Sequence, residues 1–378
     1  MRIAVNAQAY RAGIKTGIAT YTESVYQHIW AIDAANEYVF FSNKPSRKLE
    51  KGGWDRVTFR HAPSPLANKY IRVAWENSVL PIRLLLDKID ILHCVNYSLP
   101  FKTPSHIKKI ITVNDLIWLK FPNYFPKDSV YAAKKRFDHA CASADTIIAI
   151  SKNTKEDVVE ASHCEEEKVT VVYDGVDCGR FSKVQKESLL AESIRKKHHL
   201  PDQYILWVGG YRRHKNVELL CNTFIKAKKQ YGMPHMLVLC GPGLLFEGAI
   251  KTISKTHKND IMVIGQVNDD ELPVLYSLAD AFVFPSLYEG FGLPILEAMA
   301  CGTPVITSNT SSLPEVAGNA AMLVNPTNEN EIAEAIAKLI FDQELKKTMI
   351  KNGLERIKIF TWENTARNTL EIFKKVGG

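Results

Sequence analysis

The segment Ala281–Asn309, AFVFPSLYEGFGLPILEAMACGTPVITSN, holds the residues whose types and spacing point most directly to chemistry. A continuous apolar strand gives way to a loop with Glu289, Gly290, Phe291, Gly292 and Leu293, after which Pro294 opens a helix over Pro294–Ala300. Proline costs nothing in a first helical turn, where its missing N–H has no intrahelical partner. Glycines let backbone N–H groups approach phosphate oxygens, and a helix N-terminus adds a field that favours anions. This reading puts Glu297 in the first turn, where the macrodipole favours a carboxylate, and Gly302 at the helix end in the left-handed conformation. A carboxylate accepts from two donors at once, so Glu297 suits a pair of ribose hydroxyls. Glu289, at the loop mouth, would face sugar hydroxyls or a reacting carbon. A nucleotide diphosphate sugar fits this chemistry. The plainer reading is a strand–turn–helix in which Glu297 only caps and Glu289 is solvated.

A second constellation is Tyr204–Glu218, YILWVGGYRRHKNVE: strand, glycine turn, cations, helix. Gly209 and Gly210 would let the backbone turn tightly, and Lys215 at the helix start can reach a diphosphate as a mobile point charge. Arg212 and Arg213 both remain candidates for a second cation. Nearer the N-terminus, Gly17 lies in the polar turn Thr16–Tyr21 before the first helix. The run Ile110–Leu116, IITVNDL, ends a strand with Asn114 and Asp115. An amide cannot act as a general base, but both residues can hydrogen-bond sugar hydroxyls, or Asp115 can simply cap the strand end. His93 reads as a packed strand residue. No Asp-x-Asp pattern is present, so neither a metal nor another cofactor is expected beyond the donor substrate.

The elements that position these residues follow from length and periodicity. A chain of 378 residues exceeds the size at which single cores stop growing, which predicts two domains. Short β-branched runs alternate with amphipathic helical stretches in both halves, the rhythm of parallel sheets covered on two faces. The expected division is an α/β domain over 1–182, a charged linker over 183–203, a second α/β domain over 204–360 and a final helix over 361–378. The fold class is α/β, with two Rossmann-like doubly wound domains facing across a cleft, and ligands at the carboxyl ends of the strands. Trp75–Lys88 and Phe246–Lys255 read as single helices.

The formal charge of +7, most of it in residues 1–180, fits an anionic partner. Nucleic acid is not expected, because no basic stripe interleaved with aromatics appears. Seven cysteines form no C-x-x-C pair and read as reduced thiols of a cytoplasmic protein. MRIAVNAQAY reads as a first strand rather than a signal peptide, and no run reaches the roughly 18 apolar residues of a membrane span. The stretch Ala67–Lys88 mixes Arg72, Arg83 and Lys88 with Trp75, Val79, Leu80 and Leu84–Leu86. It is either core or a face that meets an anionic bilayer at the inner side of the plasma membrane.

The segment around Glu289 and Glu297 resembles the E-x(7)-E motif of the family 4 retaining glycosyltransferases, which have the GT-B fold. The resemblance implies that Glu289 lies near the donor sugar and that Glu297 binds the nucleotide ribose, with the nucleotide sugar bound by the domain over 204–360 and the acceptor by the domain over 1–182. Gly209–Asn216 is similar to the family's Gly-Gly-x-x-x-Arg-Lys-Asn element, whose basic pair neutralises the leaving diphosphate; Lys215 and Asn216 match, whereas His214 stands at the Arg position. Gly17, Ile18 and Tyr21 resemble the family's Gly-Ile-Gly-Arg-Tyr turn against the diphosphate and acceptor, with Ala19 and Thr20 departing from it. Asn114-Asp115 stands where the family has His-Asp, and Trp362-Glu363 resembles the start of a last helix that returns to the first domain. The family's favoured mechanism, front-face attack with the donor phosphate taking the proton, would tolerate Asn114. The implied activity is transfer of a hexose from a nucleotide sugar to a glycan or lipid-linked acceptor in surface polysaccharide synthesis. GDP-mannose is the donor this favours, with UDP-sugars nearly as compatible. Two rivals are a GT-B nucleotide-sugar epimerase, which needs a base that the sequence does not offer, and a non-catalytic polyanion- or membrane-binding protein.

Overall fold

A computed structural model describes residues 1–8, 17–43, 47–61, 69–244 and 248–378. Thr16, Ala67 and Phe246 therefore lie outside the described residues. The chain forms two compact units: Met1–Gly175 with Trp362–Gly378, and Val176–Thr361.

The first unit runs β1 (Arg2–Asn6), α1 (Gly17–Ile32), β2 (Glu37–Ser42), α2 (Arg47–Glu50), β3 (Val57–His61), α3 (Lys69–Ser78), α4 (Leu80–Leu86), β4 (Ile91–Cys94), β5 (Lys108–Val113), α5 (Ile117–Lys120), α6 (Lys127–Ser143), β6 (Thr146–Ala149), α7 (Lys152–Ser162) and β7 (Val169–Val171). Its sheet has the order β3-β2-β1-β4-β5-β6-β7, parallel throughout. The order reverses between β1 and β4, the switch point of a doubly wound sheet. The central strands are buried on both faces, as their continuous apolar runs require. Ser151 caps α7 through an N–H bond from Thr154 at 3.0 Å. The expected helix Trp75–Lys88 is two helices. Pro81 has no N–H to offer the turn before it, so the ladder breaks between α3 and α4.

The second unit runs α8 (Leu189–His198), β8 (Tyr204–Val208), α9 (Val217–Tyr231), β9 (Met236–Cys240), α10 (Gly248–Thr256), β10 (Ile261–Gly265), α11 (Leu272–Leu278), β11 (Ala281–Phe284), α12 (Leu293–Ala300), β12 (Val305–Ser308), α13 (Leu313–Ala317), β13 (Ala321–Val324), α14 (Glu329–Phe341) and α15 (Gln343–Arg356). Its parallel sheet has the order β10-β9-β8-β11-β12-β13, with the switch between β8 and β11. The stretch 183–203, expected as a linker, instead contains α8 and belongs to this unit. Ala191 and Ile194 are buried, and Glu271 accepts from Lys197 and lies 3.0 Å from His198 Nε2. The final helix α16 (Trp362–Gly377) packs on the first unit: Trp362 meets Tyr21 edge-on at 6.5 Å, and Phe373 meets His93 at 5.4 Å.

Candidate active site

The two constellations of the second unit meet at the carboxyl ends of β8 and β11. Lys215 Nζ donates to Glu289 Oε1 at 2.9 Å, and Ser286 Oγ donates to the same oxygen at 2.9 Å. The ammonium also lies 4.9 Å from the centre of the Phe284 ring. Backbone contacts lock the loops together: Leu287 N donates to His214 O at 2.7 Å, and Asn216 Nδ2 donates to Pro285 O at 3.2 Å. Lys215 closes a short 3₁₀ turn, and Asn216, with φ +57°, joins that turn to α9. A lysine and a glutamate 74 residues apart are thereby held as a half-buried ion pair.

The glycines act in ways that differ in part from the sequence reading. Gly292 has φ +114°, and a Cβ there would stand 2.8 Å from Leu313 Cδ2, so the turn into α12 requires glycine. Gly209 and Gly210 do not adopt the left-handed conformation. Gly209 instead allows close approach, with Trp207 and Lys215 crowding its Cβ position at 3.0–3.1 Å. Gly241, not singled out from the sequence, has φ +147°, and a Cβ there would meet Gly209 O at 1.9 Å. The signal that could have found it is Cys240-Gly-Pro-Gly directly after an apolar strand.

Glu297 is not in the first turn of α12. The helix opens at Leu293, one residue before Pro294, which makes Glu297 its fifth residue, and its Oε2 accepts from Tyr276 Oη at 3.0 Å. Gly302 does adopt φ +72°, just past the helix. Phe291 is buried against Phe360 at 5.5 Å, Leu293 starts the helix, and Gly290 lies in the loop between. Ser312 Oγ donates to Glu289 O at 2.9 Å and Phe291 O at 2.8 Å, and Ser311 Oγ accepts from Glu289 N at 3.1 Å. Of the cations, Arg212 is exposed, with Nη1 on Tyr211 O at 2.9 Å, and Arg213 is exposed as well. His214 is partly buried. Burial above all lowers its pKa to about 4, with Lys215 and Arg212 adding to that effect and Glu289 opposing it. At neutral pH it carries no charge where the family pattern has a permanent cation.

Gly17, Asn114 and Asp115 belong to the first unit. A Cβ at Gly17, the first residue of α1, would meet nothing within 4 Å. Asn114 Nδ2 donates to Val95 O at 3.0 Å, and Asp115 Oδ1 accepts from Ile117 N at 3.2 Å, the strand-end cap. His93 is fully buried between Tyr26 Oη and Thr112 Oγ1, the latter at 2.8 Å, and burial lowers its pKa to about 3. It is a core residue. Among the described residues no group of His, Cys, Asp and Glu could hold a metal ion, and no helix is long and apolar enough to cross a membrane.

Two parallel doubly wound units, one carrying an acid–lysine pair and a glycine turn at its switch point, have the GT-B architecture. The model described as Glycosyltransferase Family 4 matches residues 16–180, and that of Glycosyl transferases group 1 matches residues 191–356. O-antigen chain mannosyltransferase B of Escherichia coli is 30% identical over 75% of this chain and 74% of its own. In structure the chain is similar to sucrose-phosphate synthase of Thermosynechococcus elongatus, with a TM-score of 0.77 and 21% identity over 99% of this chain and 98% of that one. It is also similar to Anabaena Alr3699/HepE, solved with UDP and glucose, with a TM-score of 0.72 and 16% identity over 99% of this chain and 100% of that one. The chain belongs to the family 4 glycosyltransferases. It is therefore a hexosyltransferase, and the epimerase and non-catalytic readings fall away.

Proposed function

We propose that this enzyme transfers a hexose, mannose in the first instance, from a nucleotide diphosphate sugar to a glycan or lipid-linked acceptor of a surface polysaccharide, with retention of configuration. The observation that carries the reading is the Lys215–Glu289 pair beside the Gly292 turn, with Glu297 further along α12. Lys215 takes the diphosphate as charge builds on it, assisted by backbone N–H groups of the turn and by Arg212 or Arg213. Glu289 is then released toward the sugar, and Glu297 holds the ribose. Gly17, Asn114 and Asp115 serve the acceptor side. The mannosyl choice and the polysaccharide setting are supported by the E. coli relative's name. No step calls for a metal or a further cofactor.

Helices α3 and α4 support peripheral contact with an anionic bilayer at the inner face of the plasma membrane. Leu80 and Leu84 are core, whereas Ile82, Leu85 and Leu86 are 59%, 53% and 68% exposed beside the exposed Arg83 and Lys88. A calorimetric panel of GDP-, UDP- and ADP-sugars tests the donor, with GDP-mannose expected to bind. If no nucleotide sugar binds, the reading fails. Leu85→Ser with Leu86→Ser should lower co-sedimentation with phosphatidylglycerol vesicles, and equal co-sedimentation would remove the membrane contact.

A further inference from the structure

Tyr276 lies on α11, outside every sequence constellation, yet its hydroxyl meets Glu297 Oε2 at 3.0 Å. The residue is fully buried, and its anchorage is redundant. Thr303 Oγ1 donates to Tyr276 O at 2.6 Å, and the ring is edge-on to Phe282 at 5.3 Å and to Phe181 at 6.2 Å. At the neighbouring position Val184 N donates to Ser277 Oγ at 3.0 Å. The N-terminal end of α11 is tied to α8 through Glu271, Lys197 and His198. The phenol therefore cannot turn away. Burial, reinforced by the adjacent Glu297 carboxylate, keeps it protonated, so it acts as a donor.

Glu297 differs in being only partly buried. A glutamate on a helix surface samples several rotamers, and ordering it on ligand binding costs affinity. A bond to one carboxylate oxygen from a fixed hydroxyl removes much of that cost and sets the plane in which the carboxylate presents itself.

We propose that Tyr276 is a positioning residue for donor binding, orienting the Glu297 carboxylate toward the ribose hydroxyls of the nucleotide. The inference rests on the reading of Glu297 as the ribose acceptor. Its consequence is selective: removing the phenol oxygen weakens recognition of the ribose diol, not of the diphosphate.

The test uses Tyr276→Phe, which keeps the packed ring, and Glu297→Gln. Affinities for GDP, UDP and their 2′,3′-dideoxy forms are measured by calorimetry, alongside KM and kcat for the nucleotide sugar. For Tyr276→Phe the Kd of the ribonucleotide should rise about 3- to 10-fold, the worth of one orienting hydrogen bond, with the dideoxy form unchanged. KM should rise with it, and kcat should hold. Because the result is a ratio of two affinities on one preparation, partial unfolding lowers stoichiometry without imitating it. Equal weakening of both forms, or of neither, overturns the positioning role. If Glu297→Gln lowers ribonucleotide affinity while Tyr276→Phe does not, only the positioning inference fails. If Glu297→Gln leaves that affinity intact, or neither ribonucleotide binds the wild type, the site reading itself fails.

Discussion

The two sheets share an architecture, but their carboxyl edges are built differently. In the second unit the charged groups are matched: Lys215 with Glu289, Tyr276 with Glu297, and the loop serines with backbone carbonyls. In the first unit the polar groups are buried with thin support. Glu76 on α3 is 4% exposed and meets Asn6, the last residue of β1, at only 3.4 Å. Burial pushes its pKa up to about 7, against the pull of Arg72, Asn6 and Arg136. Among the described residues both amide atoms of Gln8 are buried without a hydrogen-bond partner, as is Asp174 Oδ1. The second unit's edge holds its acids in preformed hydrogen bonds. The first unit's edge instead buries an amide and carboxyls whose charged form burial disfavours.

The largest effect that would sharpen this contrast is expected at Lys215. Lys215→Met should lower kcat/KM by about 100- to 1,000-fold, the usual loss when one donor to a developing anion is removed. A fall of less than tenfold would mean that the arginines, not the paired lysine, meet the diphosphate. Next comes Gly241→Ala, which forces an unfavourable φ and a backbone collision with Gly209. The cost should be about 4 kcal/mol in urea denaturation. A near-neutral result would show that the β8 and β9 loops are not held as closely as drawn.

How much of this was legible depends on how local the cause was. The β11–loop–α12 segment read correctly as an element because an apolar run, a glycine loop and a proline fall in succession. Its one error, the turn assigned to Glu297, came from placing the helix start too late. Helix α8 was taken for a linker because ten residues burying only Ala191 and Ile194 give little periodic signal. Strand β13 and helix α15 gave no reading, since the strand has four residues of which only Val324 is fully buried, and the helix buries only Met349 and Gly353. Tyr276 could not have been found by pattern, and for Gly241 the Cys240-Gly-Pro-Gly run marks a turn but not the collision that makes glycine necessary. Their roles arise from contacts across 21 residues in one case and between two strand ends in the other.

The contrast also has a pH signature. Glu76, raised to about 7 in the fold and ordinary when unfolded, holds its proton more tightly in the native state. Its contribution is full below about pH 4.5 and is lost as pH rises through 7. Glu76→Gln should therefore gain of order 2 kcal/mol relative to wild type between pH 5 and pH 8. Parallel stability curves for the two proteins would mean that Glu76 is better solvated than its burial implies.

The smallest effect tests whether the first edge is only a scaffold. Asp115→Ala removes the cap at Ile117 and should cost about 1 kcal/mol of stability. Donor affinity should stay unchanged if Asp115 serves only the acceptor. The informative measurement is acceptor KM. A rise beyond what the lost stability explains would mean that Asp115 exchanges its bond to Ile117 for one to an acceptor hydroxyl. The first edge would then be a binding surface whose polar groups rest on one another until substrate replaces them. No change in acceptor KM would reduce Asp115 to the strand-end cap that its geometry already displays.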